Sequence, residues 1–130
     1  PASFTPHKNY FNLLEAFDLV FSGTSTNVRL ILTVSINNIP KPFRSSEWLL
    51  CLDNLSLLEI HKLYSVVDFL IFPSFLESLG LPLLEAKLYN LPIICSDLDY
   101  VYQVCSPLST FNPLSSFDIA NSISEVIYRK

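Results

Sequence analysis

Two short segments of this sequence, "FLIF" at residues 69–72 and "PIIC" at residues 92–95, are apolar at every position. A strand with one face in water alternates apolar and polar residues, whereas an uninterrupted apolar run is typical of a strand covered on both faces. A segment with helical periodicity precedes each run. Strands that alternate with helices predict an α/β fold, a Rossmann-like three-layer α/β/α arrangement with a mostly parallel sheet.

The remaining segments give the order α-β-β-α-β-α-β-(α)-α. Asn9 is a candidate cap for the first helix, Ser56 and Glu59 have the spacing of a capping box, and Pro82 falls in the first turn of a helix, where a missing N–H costs least. Ser115 or Ser116 lies near the cap of the last helix. The predicted helices are 10–21, 56–67, 81–90 and 117–130, with a short helix or turn at 98–105, and the predicted strands are 27–35, 48–53, 68–74 and 91–97.

The composition excludes several classes of protein. The 130 residues suit one domain, and a net charge of −4 without a basic block argues against nucleic acid as a partner. No segment reaches the ~18 consecutive apolar residues that would span a bilayer. Half of the residues are apolar and 15% are charged, so either the elements are buried on both faces or a surface that another piece of protein covers is exposed. The three cysteines lack metal-site spacing, which indicates reduced thiols in or near the core.

A glycine turn flanked by two glutamates follows the apolar strand, in "PSFLESLGLPLLEA" at residues 73–86. Such sheets bind ligands beyond the carboxyl ends of their strands, and the free N–H groups that open a helix attract anions. Glu85 would accept hydrogen bonds from the hydroxyls of a ribose. Glu77 would reach a sugar hydroxyl or stabilise positive charge on a sugar ring. On the residues alone, a simple strand-to-helix turn at Gly80 with solvated carboxylates stays equally open.

Residues 68–97 resemble the donor-binding segment of the GT-B glycosyltransferases, in particular family 4 of the retaining enzymes. Residues 6–17 and 111–127 also resemble the early loop-helix and the closing stretch of the same domain. Ser3 stands where many members have an arginine, Asn90-Leu91 replaces the usual glycine, and Gln103 replaces a glutamate. The matching features are Pro73-Ser74, Glu77, Gly80-Leu81-Pro82, Glu85-Ala86 and Ser96-Asp97.

The resemblance implies a role for each site residue. Glu85 would bind the ribose of a sugar nucleotide, and Glu77 would contact the donor sugar as a catalytic residue. Lys8 would neutralise the charge of the diphosphate, both in binding and in catalysis. The family usually needs no bound metal, and no cofactor is expected. The backbone N–H groups facing the diphosphate or the sugar would come from the loop that contains Ser78, Leu79, Gly80 and Leu81.

The resemblance also implies a reaction and its partners. A sugar would move from a nucleotide diphosphate, a UDP-hexose or UDP-N-acetylhexosamine with a GDP-sugar left open, to a lipid-linked saccharide in bacterial O-antigen or capsule assembly. The enzyme would be cytoplasmic and peripheral at the inner face of the cytoplasmic membrane. Residues 1–130 would be the C-terminal, donor-binding domain, without the N-terminal acceptor domain and the terminal crossover helix. We therefore expect these 130 residues alone to be folded but inactive.

Two other functions compete with the transferase. A non-catalytic α/β nucleotide-binding or protein-interaction module shares this layer order, but a receiver-like module needs an acidic cluster, and Asp53, Asp68 and Asp97 are scattered. An epimerase of the same architecture would need a histidine-based catalytic set, which His7 and His61 do not suggest. The aromatic residues predicted to serve packing are Trp48, Tyr64, Tyr89, Tyr100 and Tyr102.

Overall fold

The computed structural model describes residues 9–22, 28–75 and 81–128. Two single-turn 3-10 helices, Ile36–Asn38 and Lys41–Phe43, lie in the proline-bearing connection between the first two strands. The helices are α1 (Tyr10–Ser22), α2 (Leu57–Val66), α3 (Leu81–Leu88), α4 (Asp99–Val104) and α5 (Ser116–Tyr128), and the strands are β1 (Leu30–Leu32), β2 (Leu49–Cys51), β3 (Leu70–Phe72), β4 (Ile93–Ser96) and β5 (Ser109–Phe111).

The described strands pair in two groups, β1 with β2 and β3 with β4 and β5. Every one of these pairs is parallel, and in the second group Phe72 lies opposite Cys95, which in turn lies opposite Thr110. Parallel strands in this register end at one common edge of the sheet. The predicted α/β class, with helices alternating with parallel strands, is confirmed.

Strand β4 is buried on both of its faces, as its uninterrupted apolar sequence predicts. Ile94 belongs to one core, which α1 and α5 supply, while Ile93 and Cys95 belong to a second core together with Leu83 of α3. Alternate residues of a strand point to opposite faces of the sheet. Layers of helices therefore cover both faces, and polar side chains are confined to the ends of the strand.

The first core is built around α1, α5 and the single tryptophan. Trp48 is buried, and its ring centroid lies 5.5 Å from that of Phe17 on α1, so the predicted core role of Trp48 is confirmed.

None of the described helices has the length and apolar character needed to cross a membrane.

The cysteines are free thiols, as predicted, and Cys95 is fully buried. Burial, aided by the nearby Cys105 and Asp97, raises the pKa of the Cys95 thiol to about 12. A thiol that is protonated at neutral pH is a poor nucleophile. The role of Cys95 is therefore packing.

Two predicted helix caps are present. The Glu59 backbone N–H donates to Ser56 Oγ over 3.2 Å and the Ser56 N–H donates to Glu59 Oε1 over 2.9 Å, which completes the capping box of α2. The bonds from Ser56 lower the pKa of Glu59. At α5, the Asp118 N–H donates to Ser115 Oγ over 3.0 Å, so Ser115 rather than Ser116 is the cap.

Strand β5 is absent from the predicted order. It has three residues, two of them the polar Ser109 and Thr110, and so it lacks the apolar run by which β3 and β4 were identified. Its strand geometry comes from pairing with β4. Ser109 Oγ also lies 2.5 Å from Ser122 Oγ of α5, so α5 covers this strand.

Asn9 is the residue before α1, and its side chain ties two loops together. Its buried side-chain amide donates from Nδ2 to the carbonyl of Pro73 over 3.0 Å and to that of Pro113 over 2.7 Å. Those carbonyls follow β3 and β5. Asn9 has a φ of 60°, in the left-handed region that asparagine tolerates better than most residues. A single amide therefore fixes the distance between the two loops.

Replacing Asn9 with Asp tests this role. Aspartate keeps the shape and tolerates the same backbone conformation, but it cannot donate, so the Pro73 carbonyl loses the Asn9 bond while the Pro113 carbonyl keeps the bond from Asn12 Nδ2. We expect Asn9→Asp to lower the free energy of unfolding by about 2–4 kcal/mol, measured by urea denaturation. Asn121→Asp, at an exposed site on α5, should change it by less than about 0.5 kcal/mol. Equal stability of Asn9→Asp and the unchanged chain would contradict the role.

Candidate functional site

The edge at which β3, β4 and β5 end carries a crevice of about 450 Å³. Open parallel sheets bind ligands at this edge because the loops after neighbouring strands diverge there. The Asn9 amide holds the loops after β3 and β5 beside the crevice. The described residues that line it are Phe75, Asp97, Leu98, Thr110, Phe111, Asn112, Pro113, Leu114 and Asp118.

Both carboxylates of the crevice already accept hydrogen bonds. The Tyr102 hydroxyl donates to Asp97 Oδ1 over 2.6 Å, and the Asn112 N–H donates to Asp118 Oδ2 over 2.6 Å. The bond to Asp97 raises the pKa of Tyr102. Ser96 is buried at the end of β4 and donates to the Phe72 carbonyl over 3.4 Å, so it stabilises the sheet. The crevice walls are thus held in place by hydrogen bonds of the chain itself.

Asp97 and Asp99 form an Asp-x-Asp sequence at this edge, a pattern that can bind divalent ions. Asp97 accepts the bond from Tyr102, and Asp99 lies in the first turn of α4. Among the residues that the structure describes, no three His, Cys, Asp or Glu side chains group so that they could hold a metal ion.

Glu85 lies in the helix that follows β3, which is the position its predicted role requires. Leu83 and Ala86 of α3 are buried in the second core, while Glu85 is half-buried. The Tyr64 hydroxyl of α2 donates to Glu85 Oε1 over 3.2 Å. The carboxylate is therefore held between two helices and is not free in solvent.

Tyr64 itself is fixed by its surroundings. Its ring packs against the second core and stacks on the ring of Tyr89, with centroids 5.6 Å apart and an interplanar angle of 11°. The ring of His61 meets Tyr89 edge-on at 5.9 Å. Burial, followed by the charge of Glu85 and the hydrogen bond to it, raises the pKa of Tyr64. The Tyr64 hydroxyl thus stays protonated and donates to Glu85.

The structure describes only part of the predicted site. Glu85 is present with its contacts, and Leu81 is the first residue of α3. Glu85 does not appear among the described residues that line the crevice. The predicted residues that lie outside the described ranges are Lys8, Glu77, Ser78, Leu79 and Gly80.

Sequence reasoning assigned Tyr64 to packing and missed its bond to Glu85. Tyr64 and Glu85 are 21 residues apart on different helices, and no spacing rule links them. Asn112 and its partner Asp118 were also missed, because Asn112 directly follows β5, which lacks a sequence signal, and Asp118 lies in the first turn of α5. Only the path of the chain brings these groups together.

Comparison with known proteins finds similarity to glycosyltransferases. Residues 47–110 match the family described as Glycosyl transferases group 1. The chain is 29% identical to the O-antigen chain mannosyltransferase B of Escherichia coli, over 76% of this chain and 28% of that protein.

A crystal structure of Anabaena HepE in complex with UDP and glucose superposes with a TM-score of 0.75 at 18% identity, over 97% of this chain and 37% of that one. At this identity the likeness shows the fold, and the chain spans well under half of either relative. The family match contains β2, α2, β3, α3 and β4, which position Tyr64 and Glu85. Over residues 47–110, just under half of its length, the chain is therefore similar to the glycosyl transferases group 1 family.

Proposed function

We propose that this chain is the donor-binding domain of a retaining glycosyltransferase and that it binds a nucleotide-diphospho-sugar. The observation that carries the proposal is the position of Glu85, a half-buried carboxylate within the helix after β3, inside the segment that matches the family model. A carboxylate with free lone pairs accepts hydrogen bonds from the paired hydroxyls of a ribose. The oriented carboxylate is thus suited to hold the nucleoside end of the donor.

The chemical difficulty of the reaction is the negative charge that develops on the departing diphosphate. N–H groups aimed at that charge from the loop at Ser78 to Leu81, together with the Lys8 ammonium, would stabilise it as it forms. Glu77 would face the donor sugar, where positive charge develops. In the transition state, the loop N–H groups and Lys8 would thus stabilise negative charge and Glu77 would stabilise positive charge. The reaction would retain the anomeric configuration of the sugar.

The donor is proposed as a UDP-hexose or UDP-N-acetylhexosamine. The complex of HepE with UDP and glucose supports the uridine nucleotide. The similarity to a mannosyltransferase supports a second candidate, a mannosyl donor carried on another nucleoside diphosphate such as GDP. Titration with UDP, GDP and ADP separates the two candidates. No binding of any of the three would favour a protein-interaction module.

We propose that the acceptor is a lipid-linked saccharide, in line with the O-antigen function named for the Escherichia coli relative. A separate acceptor-binding domain would face the crevice. Leu114, which lines the crevice, and Phe117, beside Asp118, are 75% and 67% exposed. Apolar side chains this exposed next to a binding edge support a covering domain. The enzyme would then work in the cytoplasm, at the inner face of the membrane.

The role of Glu85 is tested by replacing it with Gln. Glutamine keeps the shape but removes the charge and one acceptor oxygen, so we expect the affinity for UDP to fall about 10–100-fold in calorimetry. Glu125→Gln, at an exposed carboxylate of α5, is the matched control and should leave affinity unchanged. UDP binding that is equally tight in Glu85→Gln and the unchanged chain would remove the basis of the proposal.

The role of Lys8 is tested by comparing two ligands. If its ammonium neutralises the diphosphate, Lys8→Ala should weaken UDP binding about 10-fold while uridine binding stays the same. Added salt should reduce the difference between the variant and the unchanged chain, because exposed charges are screened. Lys41→Ala removes an exposed lysine in the second 3-10 helix and serves as the control. A parallel loss of uridine binding would refute the assignment.

A further inference from the structure

We propose that Tyr64 is a positioning residue for Glu85, and that it fixes the carboxylate in the orientation that receives the ribose hydroxyls of the donor. This inference rests on the proposed function, since it assumes that Glu85 binds a ribose. It gives a role in donor binding to a residue of α2 that sequence reasoning assigned to packing. Three features of the described structure support this role, namely one hydrogen bond, one ring stack and one helical spacing.

The hydrogen bond leaves most of the carboxylate available. The Tyr64 hydroxyl donates one proton to Glu85 Oε1. A carboxylate has two oxygens with about four lone-pair sites. Among the described residues no other donor reaches either oxygen of Glu85. With one of its about four lone-pair sites taken by a described donor, the carboxylate keeps acceptor capacity for the two adjacent hydroxyls of a ribose.

Tyr64 contacts α3 at two points. Its hydroxyl bonds Glu85, and its ring stacks on Tyr89, the residue directly after the helix. Glu85 and Tyr89 are four residues apart, and the Tyr89 N–H donates to the Glu85 carbonyl over 3.3 Å, so they share one helical face. Because Tyr64 contacts both ends of one helical turn, its side chain has little freedom to rotate. The Glu85 carboxylate, which accepts the Tyr64 hydrogen bond, is therefore held in one orientation.

The chemistry of the phenol suits this task. Because burial and the neighbouring negative charge disfavour a phenolate, the hydroxyl remains a donor at neutral pH. A carboxylate that is oriented before the ligand arrives loses less conformational entropy on binding. Tyr64 would then strengthen the binding of the ribose without touching it. A tyrosine that only packs would make no distinction between ligands with and without ribose hydroxyls.

The experiment compares UDP with 2′,3′-dideoxyuridine 5′-diphosphate, which lacks both ribose hydroxyls. Both are titrated calorimetrically against the 130-residue chain and its Tyr64→Phe variant. Phenylalanine keeps the stack on Tyr89 and removes only the hydroxyl. We expect Tyr64→Phe to weaken UDP binding about 3–10-fold and to leave the affinity for the dideoxy ligand unchanged. If GDP binds more tightly than UDP, the comparison uses GDP and 2′,3′-dideoxyguanosine 5′-diphosphate instead.

Tyr128→Phe is the matched control. It removes a phenolic hydroxyl from an exposed tyrosine of α5 that does not line the crevice. We expect it to change neither affinity. If Tyr128→Phe produced the same hydroxyl-dependent loss as Tyr64→Phe, the loss would not depend on the bond to Glu85 and the inference would be overturned.

The remaining outcomes separate the inference from the proposed function. Tyr64→Phe could weaken the binding of both ligands equally or leave both affinities unchanged. Either result would overturn the positioning role, while UDP binding by the unchanged chain would still support the proposed function. If the unchanged chain binds no nucleoside diphosphate, the proposed function fails and the inference fails with it. Should Tyr64→Phe not fold, Tyr89→Leu removes the stack but keeps both polar groups. We expect Tyr89→Leu to weaken UDP binding about 2–5-fold and to leave the affinity for the dideoxy ligand unchanged. The absence of this selective loss would reject the inference.

Discussion

The burial of β4 on both faces is the constraint on which the rest of the structure depends. Ile94 faces the core of α1 and α5, and Ile93 and Cys95 face the core of α3 and α4, so the positions before Ser96 cannot hold an unpaired polar side chain at low cost. Polar groups are therefore restricted to the edge where the strands end. This edge carries the crevice, the loops held by Asn9 and the start of α3.

Helix α3 connects that constraint to the proposed chemistry. Its period of 3.6 residues puts Leu83 and Ala86 into the core while Glu85 turns toward α2. The packing that anchors α3 also fixes the direction of its carboxylate. Tyr64 then completes the arrangement, because a donor from a second helix makes the carboxylate orientation depend on the contact between α2 and α3.

The sequence predicted those features that rest on local patterns. Apolar runs gave β3 and β4, and the capping box at Ser56 and the cap at Ser115 gave helix starts. Strand β5 was missed because its three residues adopt strand geometry only through their pairing with β4. The bond from Tyr64 to Glu85 was missed because it joins segments that are distant in the sequence. The resemblance to glycosyltransferases was recognised because several offsets match together. The retaining mechanism, the sugar and the acceptor remain predictions.

The central claim is that Glu85 holds the ribose of an activated sugar, and a crystal structure of the chain with bound UDP tests it most directly. The account predicts both ribose hydroxyls at about 2.5–3.2 Å from the Glu85 carboxylate oxygens, with the Tyr64 hydroxyl still donating to Oε1. A ribose bound elsewhere, for example against Asp97 in the crevice, with the Glu85 carboxylate unliganded, would contradict it.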